Sequence, residues 1–216
     1  MGFIKKEFDE IYRYISKNSE KPTKIVAVSK NHSLESVKKA LNSGVRIFGE
    51  NKVQEAKAKF LDLKRNYTDL ELHLTGPLQT NKVKAALEIF DIFQTLDREK
   101  LALEFFKNNN KLLEKKFFIQ VNTGYEENKS GIKPENANEF IKFCLKDLKL
   151  PIIGLMCIPP SIEDPKIHFL LLKKIAIENN LEHLSMGMSN DYKIGISCGA
   201  TYVRIGTKLF GKRNAD

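Results

Sequence analysis

A lysine at the end of a buried strand is the first residue of this sequence that could do covalent chemistry. Residues 24–30 are KIVAVSK, with five consecutive apolar or small residues between the two lysines. Such a run predicts a strand buried on both faces, as in parallel sheets. Lys30 then stands at the carboxyl end of the strand, where barrels of parallel strands place their chemistry. A part-buried lysine amine can form an imine with an aldehyde there. The simpler alternative is that Lys30 only marks where the strand meets solvent.

Two glycine-containing turns near the C-terminus could bind a phosphate group. Residues 186–190 (MGMSN) and 206–208 (GTK) follow the last two strands predicted below, and barrels commonly hold phosphate in these two loops. Glycine lets backbone N–H groups approach a phosphate closely, and the hydroxyls of Ser189 and Thr207 can complete the cradle. Ordinary turn chemistry is the alternative, since glycine and serine are common turn residues.

Arg204 and His73 are polar residues inside otherwise apolar strand segments. A buried arginine needs a partner, either a structural carboxylate or a ring nitrogen or phosphate of a ligand. His73 is interpreted as a satisfied core residue, because the other three histidines show no metal-ligand spacing with it. A strand-end lysine, a phosphate cradle and an inward arginine are together what pyridoxal 5'-phosphate (PLP) requires.

These residues must be positioned by an alternation of strands and helices along the whole chain. We predict a helix over 3–17 and then eight strands, over residues 24–29, 45–48, 70–75, 91–95, 117–122, 151–157, 182–186 and 201–205. A helix follows nearly every strand, with Ser33 and Asn51 as the expected N-caps of the first two. The eight repeats predict a closed (β/α)8 barrel, with an open doubly wound sheet as the alternative. The helix over 3–17 is expected to cover the barrel where an eighth helix would lie.

Length and composition favour a single cytoplasmic domain over residues 1–216. No apolar run approaches the roughly 18 residues that span a membrane, and the first residues lack the apolar core of a secretory signal. The three cysteines form no CxxC pair, which suits a reducing compartment rather than disulfides or structural zinc. The net charge of +9 leaves a nucleic-acid-binding protein as an alternative, although no RNA-binding signature accompanies the lysines. No exposed apolar helix stripe stands out, so we expect a monomer that binds neither membrane nor metal.

The chain resembles the pyridoxal phosphate homeostasis proteins, the YggS/PROSC-like family. Seven segments match in the family's order over nearly the whole chain, at residues 27–30, 48–55, 73–82, 129–131, 154–159, 184–189 and 203–207. Each segment alone is weak, but seven in order are specific. The resemblance implies a PLP-binding barrel like the N-terminal domain of bacterial alanine racemase.

The resemblance also implies site residues and a role. Lys30 would carry PLP as an imine, Arg204 would face the pyridine nitrogen, and three residues would hold the phosphate: Ser189, Gly206 and Thr207. Two more residues are carried over as cofactor-binding, Asn51 and Met156. Family members are thought to buffer PLP, to deliver it to PLP-dependent apoenzymes and to influence amino-acid and keto-acid balance. We therefore predict a carrier or regulator of PLP without catalytic residues.

A PLP-dependent amino-acid racemase is the competing function. An arginine opposite the ring nitrogen has no acceptor site, so it would leave the ring a weak electron sink, although racemases tolerate that arginine. Racemisation needs an acid–base group on each face of the substrate. Lys30 could serve one face, and His73 or a tyrosine from another copy is the candidate for the other. Alanine racemases take this tyrosine from a second, C-terminal domain, which we do not expect in this chain.

Overall fold

Eight strands within residues 2–212 close into one parallel barrel. The computed structural model describes residues 2–212, so Met1 and residues 213–216 of the predicted domain lie outside the described residues. Each strand pairs with the next along the chain, and the last pairs with the first. The strands are β1 (Lys24–Val28), β2 (Ile47–Glu50), β3 (Glu71–Leu74), β4 (Ile92–Leu96), β5 (Lys116–Gln120), β6 (Ile152–Met156), β7 (His183–Met188) and β8 (Tyr202–Ile205). The predicted barrel is confirmed, and the open sheet is excluded.

Helices surround the barrel and connect its strands. They are α1 (Lys5–Asn18), α2 (Leu34–Asn42), α3 (Val53–Asn66), α4 (Val83–Leu87), α5 (Glu99–Phe106), α6 (Pro134–Lys142), α7 (Pro165–Glu178), α8 (Tyr192–Ser197) and α9 (Thr207–Phe210). A π-helical turn over Phe143–Asp147 continues α6. The prediction that a helix follows nearly every strand is confirmed. After β3 this connection is a 3₁₀ turn at Thr80–Lys82 followed by the short α4.

The two predicted N-caps have different outcomes. Ser33 caps α2, because its hydroxyl oxygen accepts a hydrogen bond from the backbone N–H of Ser36 at 3.3 Å. Asn51 does not cap α3, whose N-cap residue is Lys52, without a side-chain hydrogen bond. The amide oxygen of Asn51 instead accepts from the hydroxyl of Thr75 at 3.0 Å. This side chain therefore joins the ends of two neighbouring strands, a role that local spacing could not predict.

The N-terminal helix α1 covers the barrel beside β8, as expected. It packs against α8 and against the four-residue helix α9. The backbone N–H of Ile4 donates to the carbonyl oxygen of Leu209 at 2.8 Å, and the rings of Phe3 and Phe210 lie 5.7 Å apart. These contacts attach the start of the chain to the segment that follows the last strand.

Helix α7 carries an apolar stripe that sequence periodicity did not show. Ile167, Leu170 and Ile177 are exposed by 64%, 47% and 66%. The expectation that no such stripe exists is wrong. Apolar residues occupy more than one face of α7, so the spacing of hydrophobic residues alone does not separate its buried face from its exposed one.

The described residues give no sign of a membrane span or a metal site. Between residues 2 and 212, no helix has the length and apolar character that crossing a bilayer requires. Within the same range, no three His, Cys, Asp or Glu side chains come together as metal ligands. The three cysteines are free and buried.

Candidate functional site

A cavity of about 1010 Å³ opens at the carboxyl ends of the strands. This volume lies at the upper end of the range of small-molecule sites, about 300–1,000 Å³. Six of the seven predicted site residues line it: Lys30, Asn51, Ser189, Arg204, Gly206 and Thr207. Residues that are far apart in sequence thus meet at one site, because parallel strands bring all their carboxyl ends to the same edge.

Met156 is the predicted site residue that the structure places elsewhere. Its side chain is fully buried and packs with Val26, Phe118 and Tyr202 in a cluster inside the barrel. Among the described residues, Met156 is not part of the cavity wall. Its place inside the barrel makes it a support of the cavity rather than a residue that contacts a ligand.

The turn that carries Lys30 is held in place by helix α3. Lys30 is half-buried, and Asn31 beside it adopts φ of 61°. The Asn31 backbone N–H donates to Glu55 Oε1 at 2.5 Å. Lys59 Nζ donates to the carbonyl oxygens of Ser29 and His32 at 2.8 and 3.3 Å. These bonds fix the backbone on both sides of Lys30, so the scaffold sets the point from which its side chain extends.

A buried cluster of charges lies behind this turn. Lys59 Nζ lies 2.5 Å from Glu50 Oε1 and 2.9 Å from Glu55 Oε1, and the Ser29 hydroxyl donates to Glu50 at 2.6 Å. Glu50 is fully buried and Lys59 is 8% exposed. Burial raises the pKa of Glu50, against the opposing effect of Lys59.

Sequence reasoning missed this cluster. The second strand was predicted at 45–48, whereas β2 spans Ile47–Glu50 and includes the glutamate. The available signal was a charged residue directly after the apolar Phe48 and Gly49, since such a residue needs a buried partner.

Arg204 lies at the base of the cavity and is 5% exposed. Its Nη1 donates to the carbonyl and hydroxyl oxygens of Ser185 at 2.7 and 2.8 Å, and its Nη2 donates to the Cys157 carbonyl at 2.8 Å. Burial lowers the pKa of Arg204. Within residues 2–212, the hydrogen-bond partners of Arg204 are neutral oxygens. The structural carboxylate that the sequence allowed as a partner is not among them. With three of five N–H groups used, Nε–H and one Nη2 hydrogen remain for a ligand.

The two glycine-containing turns meet at the rim of the cavity. The backbone N–H of Lys208 donates to Ser189 Oγ at 3.4 Å, which connects the loop after β7 to the start of α9. Gly187 adopts φ of 92°, a conformation that L side chains rarely adopt. Ser189, Gly206 and Thr207 consequently line one cavity.

His73 lies inside the barrel and is fully buried. Its Nδ1 lies 2.7 Å from Gln94 Nε2, and its Nε2 lies 2.8 Å from Glu71 Oε1. The interpretation of His73 as a satisfied core residue is confirmed. The suggestion that it could act as a second base is wrong, because both ring nitrogens are engaged with protein groups below the cavity.

Comparison with known proteins decides the family. Residues 6–214 match the family model described as alanine racemase, N-terminal domain. The chain is 41% identical over 207 residues to the pyridoxal phosphate homeostasis protein of Aquifex aeolicus, covering 90% of this chain and 89% of that one. It is 43% identical over 196 residues to the protein of that name from Helicobacter pylori strain 26695, with coverages of 87% and 86%. The chain belongs to the pyridoxal phosphate homeostasis protein family.

Solved structures agree with this assignment. PipY from Synechococcus elongatus, determined without PLP, superposes with a TM-score of 0.86 at 32% identity over 96% of this chain and 100% of PipY. PipY with PLP bound gives a TM-score of 0.83 at 30% identity, covering 96% and 99% of the two chains. Alanine racemase from Acinetobacter baumannii gives 0.73 at 18% identity and shares the fold, covering 96% of this chain and 61% of the racemase. The homeostasis family thus uses the barrel that alanine racemases also contain.

The ion pair behind Lys30 gives a prediction about stability. We expect Lys59→Met to lower the free energy of unfolding by about 3–5 kcal/mol, because it leaves Glu50 buried with its charge uncompensated. The matched control is Lys57→Met on the same helix, whose pair with Glu88 is solvent-exposed and is expected to contribute about 0–1 kcal/mol. Urea unfolding of both variants makes the measurement. Equal losses in the two variants would contradict the role given to the buried pair.

Proposed function

We propose that this protein binds PLP in the cavity at the carboxyl ends of its strands and serves as a carrier or regulator of PLP. The observation that carries the proposal is that one cavity holds a lysine amine, the remaining N–H donors of a buried arginine and two hydroxyl-bearing turns. These groups fit the aldehyde, the ring nitrogen and the phosphate of PLP. Membership of the homeostasis family, and the PLP bound by PipY, support the same conclusion.

Lys30 is the residue that attaches the cofactor. Its Nζ bonds to the aldehyde carbon, and water leaves as the imine forms. The hydrogen bonds of Glu55 and Lys59 to the surrounding turn hold the backbone that carries Lys30 in place before the cofactor arrives. Such preorganisation lowers the entropy lost on binding.

Arg204 orients the ring. Its Nη1 is held by Ser185 and its Nη2 by Cys157, so the guanidinium plane is fixed before binding. Arginine donates hydrogen bonds and cannot accept them. A ring nitrogen that meets the remaining N–H groups must therefore present its lone pair, and it stays unprotonated.

The phosphate is held by the two turns at the rim. The hydroxyls of Ser189 and Thr207 donate to its oxygens, and Gly206, which has no side chain, lets the backbone approach it closely. Gly206 immediately precedes α9 and leaves its backbone open to the cavity. Asn51 also lines the cavity, and its side chain is linked to Thr75.

The geometry favours binding without turnover over racemisation. PLP supplies an electron sink for carbanions when its ring nitrogen is protonated, and Arg204 opposes that proton. His73, the candidate for a base on the second face, is occupied by Gln94 and Glu71 inside the barrel. Lys30 is then the remaining candidate for an acid–base group, and it could act on one face of a substrate.

The proposed setting is the cytoplasm, with PLP-dependent apoenzymes as recipients and a monomer as the working form. The buried free thiols suit a reducing compartment. In the basic segment of residues 107–116, three lysines lie near carboxylates: Lys107 near Glu104, Lys111 near Glu88 and Lys115 near Asp91. This pairing disfavours the nucleic-acid alternative.

The attachment site can be tested by borohydride reduction. We expect wild-type protein incubated with PLP to gain one mass tag on Lys30, and Lys30→Ala to lose the imine absorbance and the tag. Lys24→Ala is the matched control, because Lys24 begins the strand that Lys30 follows and should leave the tag unchanged. A reducible imine at wild-type occupancy on a different lysine of Lys30→Ala would show that attachment is elsewhere.

The phosphate contacts can be tested by comparing two ligands. Charge-assisted hydrogen bonds contribute roughly 1.5–3 kcal/mol each, so Ser189→Ala combined with Thr207→Ala should weaken PLP binding at least about tenfold. Binding of pyridoxal, which lacks the phosphate, should change little between wild type and the double variant. Equal affinity of wild-type protein for pyridoxal and PLP would rule out the phosphate cradle.

Absence of turnover is the third expectation. PLP-loaded protein, assayed for racemisation and transamination with a panel of amino acids, should stay far below the usual enzymatic range of about 1–10³ s⁻¹. Lys30→Ala serves as the blank. Turnover within that range that disappears in the blank would favour the racemase-like alternative.

A further inference from the structure

A polar layer crosses the interior of the barrel below the cavity. His73, Gln94 and Ser185 are fully buried and Arg204 nearly so, at a level where barrels ordinarily place branched apolar side chains. These residues come from β3, β4, β7 and β8. Burying four polar side chains is costly unless each is hydrogen-bonded, so their arrangement calls for an explanation.

The four side chains form a continuous chain of hydrogen bonds that ends at a carboxylate. Arg204 Nη1 donates to Ser185 Oγ at 2.8 Å, and Ser185 Oγ donates to Gln94 Oε1 at 2.6 Å. Gln94 Nε2 lies 2.7 Å from His73 Nδ1, and His73 Nε2 lies 2.8 Å from Glu71 Oε1. Glu71 begins β3, at the opposite end of the barrel from the cavity, and its side chain is 27% exposed.

The direction of this chain is fixed from both ends. Arginine can only donate, so Ser185 Oγ accepts from Arg204 and its own proton is available to Gln94 Oε1. An ionised Glu71 can only accept, so a neutral His73 must carry its proton on Nε2 and leave Nδ1 to accept from Gln94 Nε2. Both arguments give the Gln94 amide the same orientation, and every donor points away from the cavity.

The charge states that this direction requires agree with the surroundings. Burial lowers the pKa of His73, against the effect of Glu71, which keeps the imidazole neutral. Burial acts to raise the pKa of Glu71, but the hydrogen bond from His73 and the charges of Lys24 and Lys116 outweigh it and lower the pKa. A carboxylate on one ring nitrogen fixes the tautomer of the other, as in enzymes where a buried acid orients a histidine.

We propose that His73 is a positioning residue for Arg204, acting through the relay Arg204–Ser185–Gln94–His73–Glu71. Each bond in a directed chain polarises the next, so Glu71 and His73 strengthen the hold of Ser185 on the guanidinium. The relay keeps Arg204 in the orientation that leaves its remaining N–H groups toward the cavity. Its effect on the cofactor rests on the proposed function, but its effect on Arg204 does not.

The first test uses ligand-free protein labelled with ¹⁵N. NMR correlations of the His73 ring should show the proton on Nε2 and an unprotonated Nδ1 at pH 7. The opposite tautomer would overturn the relay. This measurement needs no substitution, so it is independent of whether any variant folds.

The second test follows the side-chain Nε–H resonance of Arg204 in variants. His73→Leu removes both the acceptor and the donor, whereas His73→Gln keeps an oxygen for Gln94 and an N–H for Glu71. We expect His73→Leu to shift or broaden the Arg204 signal and His73→Gln to restore it. Ser185→Ala breaks the relay next to Arg204 by a small change and should reproduce His73→Leu, which guards against misfolding of the leucine variant.

His183→Leu is the matched control for the His73→Leu and Ser185→Ala variants. The rings of His183 and His73 lie 5.7 and 5.6 Å from the Tyr202 ring, but His183 is outside the relay and should leave the Arg204 signal unchanged. A signal that stays at its wild-type position in both His73→Leu and Ser185→Ala would overturn the proposal. So would a His73→Gln variant that is folded and as perturbed as His73→Leu.

PLP titration separates this inference from the proposed function. We expect His73→Leu to weaken PLP binding about fivefold to tenfold, the effect of losing about one hydrogen bond. His73→Gln and His183→Leu should bind PLP with an affinity close to that of wild type. If wild-type protein failed to bind PLP, the proposed function would fall, while the Arg204 resonances would still decide the relay. Equal PLP affinity in wild type and a folded His73→Leu would overturn the positioning role.

Discussion

A guanidinium charge buried inside the barrel is the constraint on which the rest of this structure depends. An ion taken out of water costs several kcal/mol unless its donors are satisfied, and Arg204 meets that need with the carbonyl oxygens of Ser185 and Cys157 and the Ser185 hydroxyl. Those oxygens belong to β7 and to the residue after β6, so the arginine adds side-chain hydrogen bonds to the backbone pairing of these strands.

Lys59, paired with Glu50 and Glu55, is the second buried charge. It holds the Lys30 turn in place, as the relay holds the side chain of Arg204. Both arrangements lie outside the cavity, and each fixes the backbone or side chain of a residue that lines it. Functional groups supported in this way lie close to their binding geometry before a ligand arrives. The rest of the fold offsets the free energy lost on burying these supporting charges. Support of the residues that line the cavity is the reason that two glutamates, a lysine and a histidine lie where apolar residues would pack more easily.

Strand order and barrel closure could be predicted from the sequence because they depend on local periodicity repeated eight times. The site could be predicted in part for the same reason, since strand ends converge at one edge and place Lys30, Ser189 and Thr207 together.

Local spacing could not predict interactions between residues that are distant in sequence. The hydrogen bond between Gln94 and Ser185 joins residues 91 positions apart, and the Asn51–Thr75 bond replaces the cap that spacing suggested. Met156 was predicted to bind the cofactor but lies in the apolar cluster inside the barrel. A family motif marks a strand end, and it does not say whether a side chain there points to the cavity or into the barrel. A polar residue in an apolar strand was a usable signal at Arg204, and it applied equally to Gln94, Ser185 and Glu50.

The direction of the relay bears on what the shared barrel does in different proteins. At 18% identity, alanine racemase shares the fold with this chain, and a shared fold leaves the chemistry to the site. Here each link from Arg204 to Glu71 donates away from the cavity, so the cavity end of the relay offers donors and no acceptor. A ligand atom that meets Arg204 must bring its own lone pair, and it cannot pass a proton into the relay, because arginine, the first member, has no site that accepts one. The interior of this barrel therefore presents donors to a ligand atom that accepts hydrogen bonds, as the proposed binding of an unprotonated ring nitrogen requires.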